Sequence, residues 1–149
     1  MTDHTASLAV PSTKSHVFIS YARADAVSIA SQLESDLIQN GITTWRDSLV
    51  GPGVPFGAEL KAAIDNSFAM LALITPQACK SYWVKCEWCY AISRRDVTIV
   101  PVIAPDFDEN LFPIELFPIA RIYLTEDYNS SLEDIIAFLN FARENPPVW

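Results

Sequence analysis

No run of apolar residues in this chain of 149 residues approaches the ~20 needed to span a bilayer, and residues 1–15 (MTDHTASLAVPSTKS) lack both the basic start and the apolar stretch of a secretory signal. A cytosolic setting is therefore expected, with no membrane partner. Cysteine is sparse: Cys79, Cys86 and Cys89 are an odd set in one short stretch, so reduced thiols are expected rather than a disulfide framework. Histidine is sparser still. Cys86 and Cys89 form a CxxC, but no second ligand pair accompanies them, and His4 and His16 both lie near the start. No metal site is expected, and two small apolar side chains one helical turn apart account for the pair. Basic residues are outnumbered, ten Lys and Arg against 18 Asp and Glu; the net charge of −8 repels phosphate polymers, so nucleic acid is excluded as a main partner. No serine has the Gly-x-Ser-x-Gly neighbours of a hydrolase nucleophile elbow.

Half the residues are hydrophobic, 11% are aromatic and 19% are charged, a composition that folds rather than staying disordered. One domain is expected, burying ~70% of the surface its unfolded chain exposes. His16 to Tyr21 (HVFISY) has the pattern of a buried strand. Asp25 then looks like the cap of a helix that turns Ala26, Ile29, Ala30, Leu33 and Leu37 inward and ends at Gly41. A strand over Ile42 to Arg46 closes at Asp47. A loop with Gly51, Pro52, Gly53 and Pro55 leads to a helix carrying Phe56, Leu60 and Ile64 on one face. Phe68 to Thr75 and Val97 to Ile103 are apolar almost throughout, as parallel strands covered on both faces require. An aromatic-rich helix from about Ser81 to Arg95 lies between them. A short strand, Arg121 to Thr125, and a last helix with Leu132, Ile135, Ile136 and Leu139 complete the chain, Ser130 and Glu133 having capping-box spacing.

Five strands alternating with helices give an α/β fold, a flavodoxin-like three-layer arrangement around a central five-stranded parallel sheet. Ligands in such folds bind outside the carboxyl ends of the strands, where strand order reverses. That directs attention to Ser20 to Arg23, Asp47 to Phe56, and Thr75 to Glu87. The first strand ends in Ser20, Tyr21 and Arg23, not in the acidic cluster of a response regulator.

Glu87 stands among Tyr82, Trp83, Val84, Cys86, Trp88, Cys89 and Tyr90, with little polar surface to hold a carboxylate. Burial without a partner would cost several kcal/mol, so it must pair, take a raised pKa, or open into a polar cleft. Trp83, one turn earlier, could wall the same cleft. The expectation is a carboxyl facing solvent beside an indole; the alternative is a Glu87–Arg94 pair with Trp83 in the core. The spacing of Gly51, Gly53 and Gly57 does not match a dinucleotide fingerprint, and a mobile surface loop that gates a cleft or meets partners is the better reading.

In combination, VFISYARAD, WRD followed by GPGVPFGAEL, and Trp83-x-x-x-Glu87 before VTIVPVI resemble a Toll/interleukin-receptor (TIR) domain of the NAD-consuming bacterial type, over roughly His16 to Phe141. The resemblance implies an NAD+ glycohydrolase or cyclase, with NAD+ as substrate and no separate cofactor. Glu87 matches the glutamate that engages the ribose beside nicotinamide. Trp83 matches the aromatic near the nicotinamide, Tyr21 and Arg23 the pocket-lining positions of the first loop, Asp47 the acid ending the second strand, and Gly53 and Phe56 the loop after it. It also implies a homo-oligomer or filament through contacts of the 47–57 loop, and a role in bacterial immune or cell-death signalling. Arg23, Arg46, Lys80 and Lys85 are expected near the crevice, offsetting the negative total for a pyrophosphate. The Trp-Val-Lys-Cys-Glu order departs from the common Trp-Cys-x-x-Glu, though the register of Glu87 holds, and the Phe-Trp pair of many eukaryotic relatives near the last strand is absent.

The alternative is a non-enzymatic adaptor that works by TIR–TIR association, in which Glu87 is structural. Leu111 to Ile119 repeats LFPI and is apolar for a loop; it either covers the last strand or forms a partner-binding patch. The domain is expected over 16–144, between a flexible tail of residues 1–15 and residues 145–149, whose NPPVW reads as the start of a linker to a further domain.

Overall fold

The computed structural model describes residues 14–46 and 58–147. Five parallel strands, β1 (His16–Ser20), β2 (Thr43–Arg46), β3 (Ser67–Ile74), β4 (Thr98–Ile103) and β5 (Ile122–Tyr123), form one sheet in the order β2-β1-β3-β4-β5. Strand order reverses between β1 and β3: the chain first steps outward from β1 to β2, then crosses back to β3. The flavodoxin-like expectation holds.

Alternation along each strand divides the core in two. Val17 and Ile19 of β1, Leu71 and Leu73 of β3, and Val100 and Val102 of β4 face one layer, made of α1 (Arg23–Gln39) and α5 (Tyr128–Glu144). Phe18, Met70, Ala72, Ile74, Ile99 and Ile103 face the other, made of α2 (Ala58–Asp65), α3 (Pro76–Lys80) and α4 (Tyr82–Arg94). β3 is buried along its whole length, which is why its sequence is apolar throughout. Among the described residues no helix is long and apolar enough to cross a membrane.

Several helix ends depart from the sequence reading. Asp25 does not cap α1: Ala22 is the N-cap, with no side-chain bond, and Asp25 lies in the first turn. Asp127, not Ser130, caps α5, its Oδ1 accepting the Ser130 N–H at 3.1 Å, so that helix begins a turn earlier than the Ser130–Glu133 spacing implied. The helix expected from about Ser81 is preceded by α3, which starts because Thr75 Oγ1 accepts the Ala78 N–H at 3.2 Å and Pro76 needs no donor partner there. Gly41 ends α1 as expected. With φ 79°, it lets its own N–H reach the Ile38 carbonyl and the Ile42 N–H reach that of Leu37, a Schellman closure with Leu37 and Ile42 both in the core.

The Leu111–Ile119 stretch does two things. Two short 3₁₀ turns, Glu109–Leu111 and Ile114–Leu116, sink Leu116 completely and seat Phe112 and Ile119 against the α4 layer, while Leu111, Ile114 and Phe117 stay exposed.

Candidate functional site

Glu87 sits on α4 in the core-facing stripe Val84, Glu87, Trp88 and Ala91, a position otherwise reserved for apolar side chains. It is 7% exposed. The sequence reading of a carboxyl open to solvent is corrected here: the side chain points toward the sheet, and Ser20 Oγ donates to its Oε1 at 2.7 Å. Ser20 shares a strand face with Phe18, which packs in the α4 layer, so pleat alternation alone aims its hydroxyl at the helix. Ser20 ends β1 and registers with Ala72 of β3. The bonded pair therefore stands at the carboxyl edge, at the reversal point between β1 and β3.

The alternative partner is otherwise engaged. Arg94 reaches Asp65 at 3.2 Å and Asp96 at 3.3 Å. Trp83 is not core either: it is 52% exposed and meets the Tyr82 ring edge-on, centroids 5.3 Å apart at 72°. One turn separates this exposed indole from the buried carboxylate. Ser81 starts α4 by accepting the Val84 N–H at 3.2 Å, which fixes the register of both residues.

Tyr21 is nearly buried beside Ser20, and its hydroxyl accepts from Arg46 Nη1 at 3.2 Å. The Arg46 guanidinium is itself held by Glu34 of α1, through Nη2 at 3.2 Å and Nε at 3.3 Å. Arg46 thus acts as a strut between β2, α1 and Tyr21, and Glu34 balances its charge. Arg23 opens α1 and is exposed, as is Lys80 at the end of α3; Lys85 lies in the first turn of α4, half-buried. Asp47, Gly53 and Phe56, with the rest of the 47–57 loop, lie outside the described residues.

Two interactions near the site were not read from the sequence. Asp25 accepts from Thr75 Oγ1 at 2.8 Å and from the Gln77 N–H at 3.0 Å, tying the first turn of α1 to the segment that leads into α4. Glu34 is the other. The Thr-Pro pair at 75–76 was the available signal for a helix start; no pattern marks Asp25 as its partner, or Glu34 as that of Arg46, because each contact joins separate elements.

Cys79, Cys86 and Cys89 are free thiols. Burial pushes the Cys79 and Cys89 thiols above the ordinary range, which disfavours a nucleophilic thiolate at either. Elsewhere, an apolar groove of about 500 Å³ runs between the end of α4, the start of β4 and α5, lined by Ile92, Val97, Ile99, Ile119 and Phe138 among others; none of the candidate residues borders it.

A family model described as TIR domain matches residues 17–136. The structure of a metazoan TIR-STING receptor from C. gigas is similar with a TM-score of 0.67 at 26% identity, over 92% of this chain and 44% of that one. This chain thus spans less than half of that receptor's length. The TIR domain of the Toll-related receptor TRR-2 from Hydra magnipapillata is similar with a TM-score of 0.68 at 20% identity, over 83% and 97% of the two chains. The TIR domains of the activated Roq1 resistosome give 0.61 at 18%, over 85% and 98%. At these lower identities the likeness is one of fold. No curated protein matches the chain.

Proposed function

We propose that this chain, which belongs to the TIR domain family, cleaves the bond between nicotinamide and ribose in NAD+. The observation that carries the reading is the Glu87 carboxylate, buried at the reversal point of a parallel sheet, held by Ser20 at 2.7 Å and one helical turn from a half-exposed indole. A parallel α/β sheet places its ligand site at that edge. A carboxylate in a helix's apolar stripe is costly, which favours a role beyond packing.

The chemistry suits a single acid. When the C–N glycosidic bond breaks, its electron pair leaves with nicotinamide, already neutral on departure, so no proton donor is needed. Positive, oxocarbenium-like charge develops on the ribose, and a fixed carboxylate in a poorly solvated crevice stabilises it. Water then adds to the sugar cation and releases a proton, giving ADP-ribose; attack by a group of the same molecule gives a cyclic isomer instead. Trp83 offers a flat surface for the departing ring, and Tyr21, Arg23, Asp47 and Phe56 are the proposed binding positions.

Chromatography of NAD+ incubated with concentrated protein on a crowding support tests this. Wild type releases nicotinamide, and Glu87→Gln lowers release at least ~100-fold; equal release by both refutes the assignment.

Association of TIR domains is the second element of the proposal. Ile114 (83% exposed) and Phe117 (65%) leave apolar surface uncovered, and TIR domains similar in fold come from assemblies: the Roq1 resistosome and the RPS4–RRS1 heterodimer. We expect this chain to self-associate, with the 47–57 loop and this patch as contact surfaces. Size-exclusion chromatography of Phe56→Ala and of Ile114→Ser with Phe117→Ser, each checked for folding, should show smaller species; unchanged elution by both removes these surfaces from the interface. If the protein is an adaptor instead, Glu87→Gln leaves signalling output intact while the association variants abolish it.

A further inference from the structure

We infer that Ser20 is the positioning residue for Glu87, its hydroxyl fixing the carboxylate at the carboxyl edge between β1 and β3; this rests on the reading of Glu87 as the group that steadies the sugar cation. The hydroxyl is fully buried at the end of a strand whose preceding residues, Val17, Phe18 and Ile19, are all core. A buried hydroxyl there adds no packing that Ala would not, and it needs a partner. Its partner is Glu87 Oε1 at 2.7 Å, the usual length of a well-formed O–H···O hydrogen bond.

The surroundings support a positioning role. Ser20 registers with Ala72, and Ala22 follows on the same strand end, so small residues leave room above the sheet for a carboxylate arriving from α4. Two of the ionisable groups on the elements packed against α4 have partners of their own. Asp65 of α2 is bonded to Tyr90 at 2.6 Å and paired with Arg94 and Lys61, and His16 of β1 meets the Ala63 carbonyl at the opposite end of its strand. Glu59 of α2, Cys79 and Lys80 of α3, and Tyr82, Lys85, Cys86 and Cys89 of α4 are the other titratable groups on these elements. A glutamate side chain has three rotatable bonds, and a 1 Å error at a reacting centre can cost about a hundredfold in rate. A hydrogen bond from a residue locked in the sheet removes that freedom before substrate arrives.

The test uses Ser20→Ala, which removes one buried atom and leaves the strand intact, beside Glu87→Gln. Ser20→Ala should lower kcat about 10- to 100-fold with KM within about twofold, since Ser20 acts through Glu87 rather than on substrate. The acid limb of the rate profile should move to higher pH, because the hydroxyl favours the charged carboxylate. Ser20→Cys, which puts a weaker donor of similar size there, should fall between Ser20→Ala and wild type. Wild-type kcat and pH profile in Ser20→Ala, with Glu87→Gln inactive, overturns this inference and leaves the function standing. Full activity in Glu87→Gln overturns the function itself. Carbon NMR titration of the Glu87 carboxyl gives a readout independent of turnover. An upward move in Ser20→Ala supports the inference, and an identical titration in both proteins overturns it whatever the activity.

Discussion

Removing the Asp25 carboxylate should loosen the joint between the first turn of α1 and the start of α3. Asp25 accepts from Thr75 Oγ1 at 2.8 Å through one oxygen and from the Gln77 N–H at 3.0 Å through the other. A hydrogen bond to a charged group contributes roughly 1.5–3 kcal/mol when well shielded. Asp25 is exposed, so about half that for each bond is the appropriate figure, with a further ~0.3–1 kcal/mol from an acid in the first helical turn. Asp25→Ala should therefore cost about 2–4 kcal/mol, and at ~2–4 °C per kcal/mol for a domain of this size the Tm should fall by about 4–16 °C. Asp25→Asn retains one acceptor oxygen for Thr75 but turns a donor toward the Gln77 N–H, so its loss should lie in between.

Thr75→Val separates the two duties of that hydroxyl, which caps α3 through the Ala78 N–H and donates to Asp25. Alone it should cost about 1–2 kcal/mol. Urea unfolding of wild type, both single variants and the double variant closes the cycle, and a coupling of about 0.5–1.5 kcal/mol is expected. Single-variant losses that add to within ~0.3 kcal/mol would show that the 2.8 Å contact carries no stability and that Asp25 acts as a helix-dipole residue only.

Other perturbations have equally definite signs. Gly41→Ala should lower stability by about 1–2 kcal/mol, read as a lower urea midpoint, purely from the backbone angle of 79°, since an added Cβ meets nothing within 4 Å. The Tyr90 hydroxyl holds the Asp65 carboxyl below its ordinary range, with Arg94 and Lys61 adding to it. Its stabilisation is thus present above pH ~4 and is lost as pH falls through the lowered folded value. Thermal melts between pH 2 and 5 should show a shallower acid decline in Asp65→Asn. Burial and the 2.6 Å hydrogen bond to Asp36 hold the Tyr128 phenol protonated well above its ordinary range. That contribution is present below pH ~10 and fades as pH rises beyond it, so urea midpoints from pH 8 to 11 should fall more steeply in wild type than in Tyr128→Phe.

The layers were legible because their signals are local. β3 and β4 are continuous apolar runs, α1 repeats its buried residues at helical spacing, and Gly41 supplies a positive φ where an ordinary residue would be strained. Glu87 was legible as an anomaly, a charge inside a stripe that otherwise packs. Its direction was not. A neighbouring Trp suggested a shared solvent face, yet residues four apart on a helix are offset by about 40°, enough to put Trp83 half outside and Glu87 inside. Asp25 misled for a related reason: an acid at the N-cap and one in the first turn look alike in sequence, and what separates them is a threonine fifty positions away. The Ser130–Glu133 spacing pointed to a cap at Ser130, but the chain caps α5 at Asp127, adding a turn whose Tyr128 reaches Asp36.

Charge is the remaining tension between composition and the proposed site, because a chain of net −8 would have to accept a pyrophosphate. Arg46, one of the four cations expected near the crevice and bonded to Tyr21, does not resolve it. Glu34 lies 3.2 Å away, so at a distance the pair is close to neutral and its function is mechanical. The relevant positive field comes from the geometry of the fold instead. In a parallel sheet the helices that follow strands begin at the carboxyl edge, and α1 and α4 both start there, each with the partial positive charge of a helix N-terminus, about half a unit. Arg23 opens the first of these helices and Lys85 lies in the first turn of the second. Screening over ~8–10 Å at ordinary ionic strength confines the acidic excess elsewhere on the surface to its own neighbourhood. The helix starts therefore offset, at the strand ends, part of the repulsion that the total charge would exert on a pyrophosphate at the proposed site.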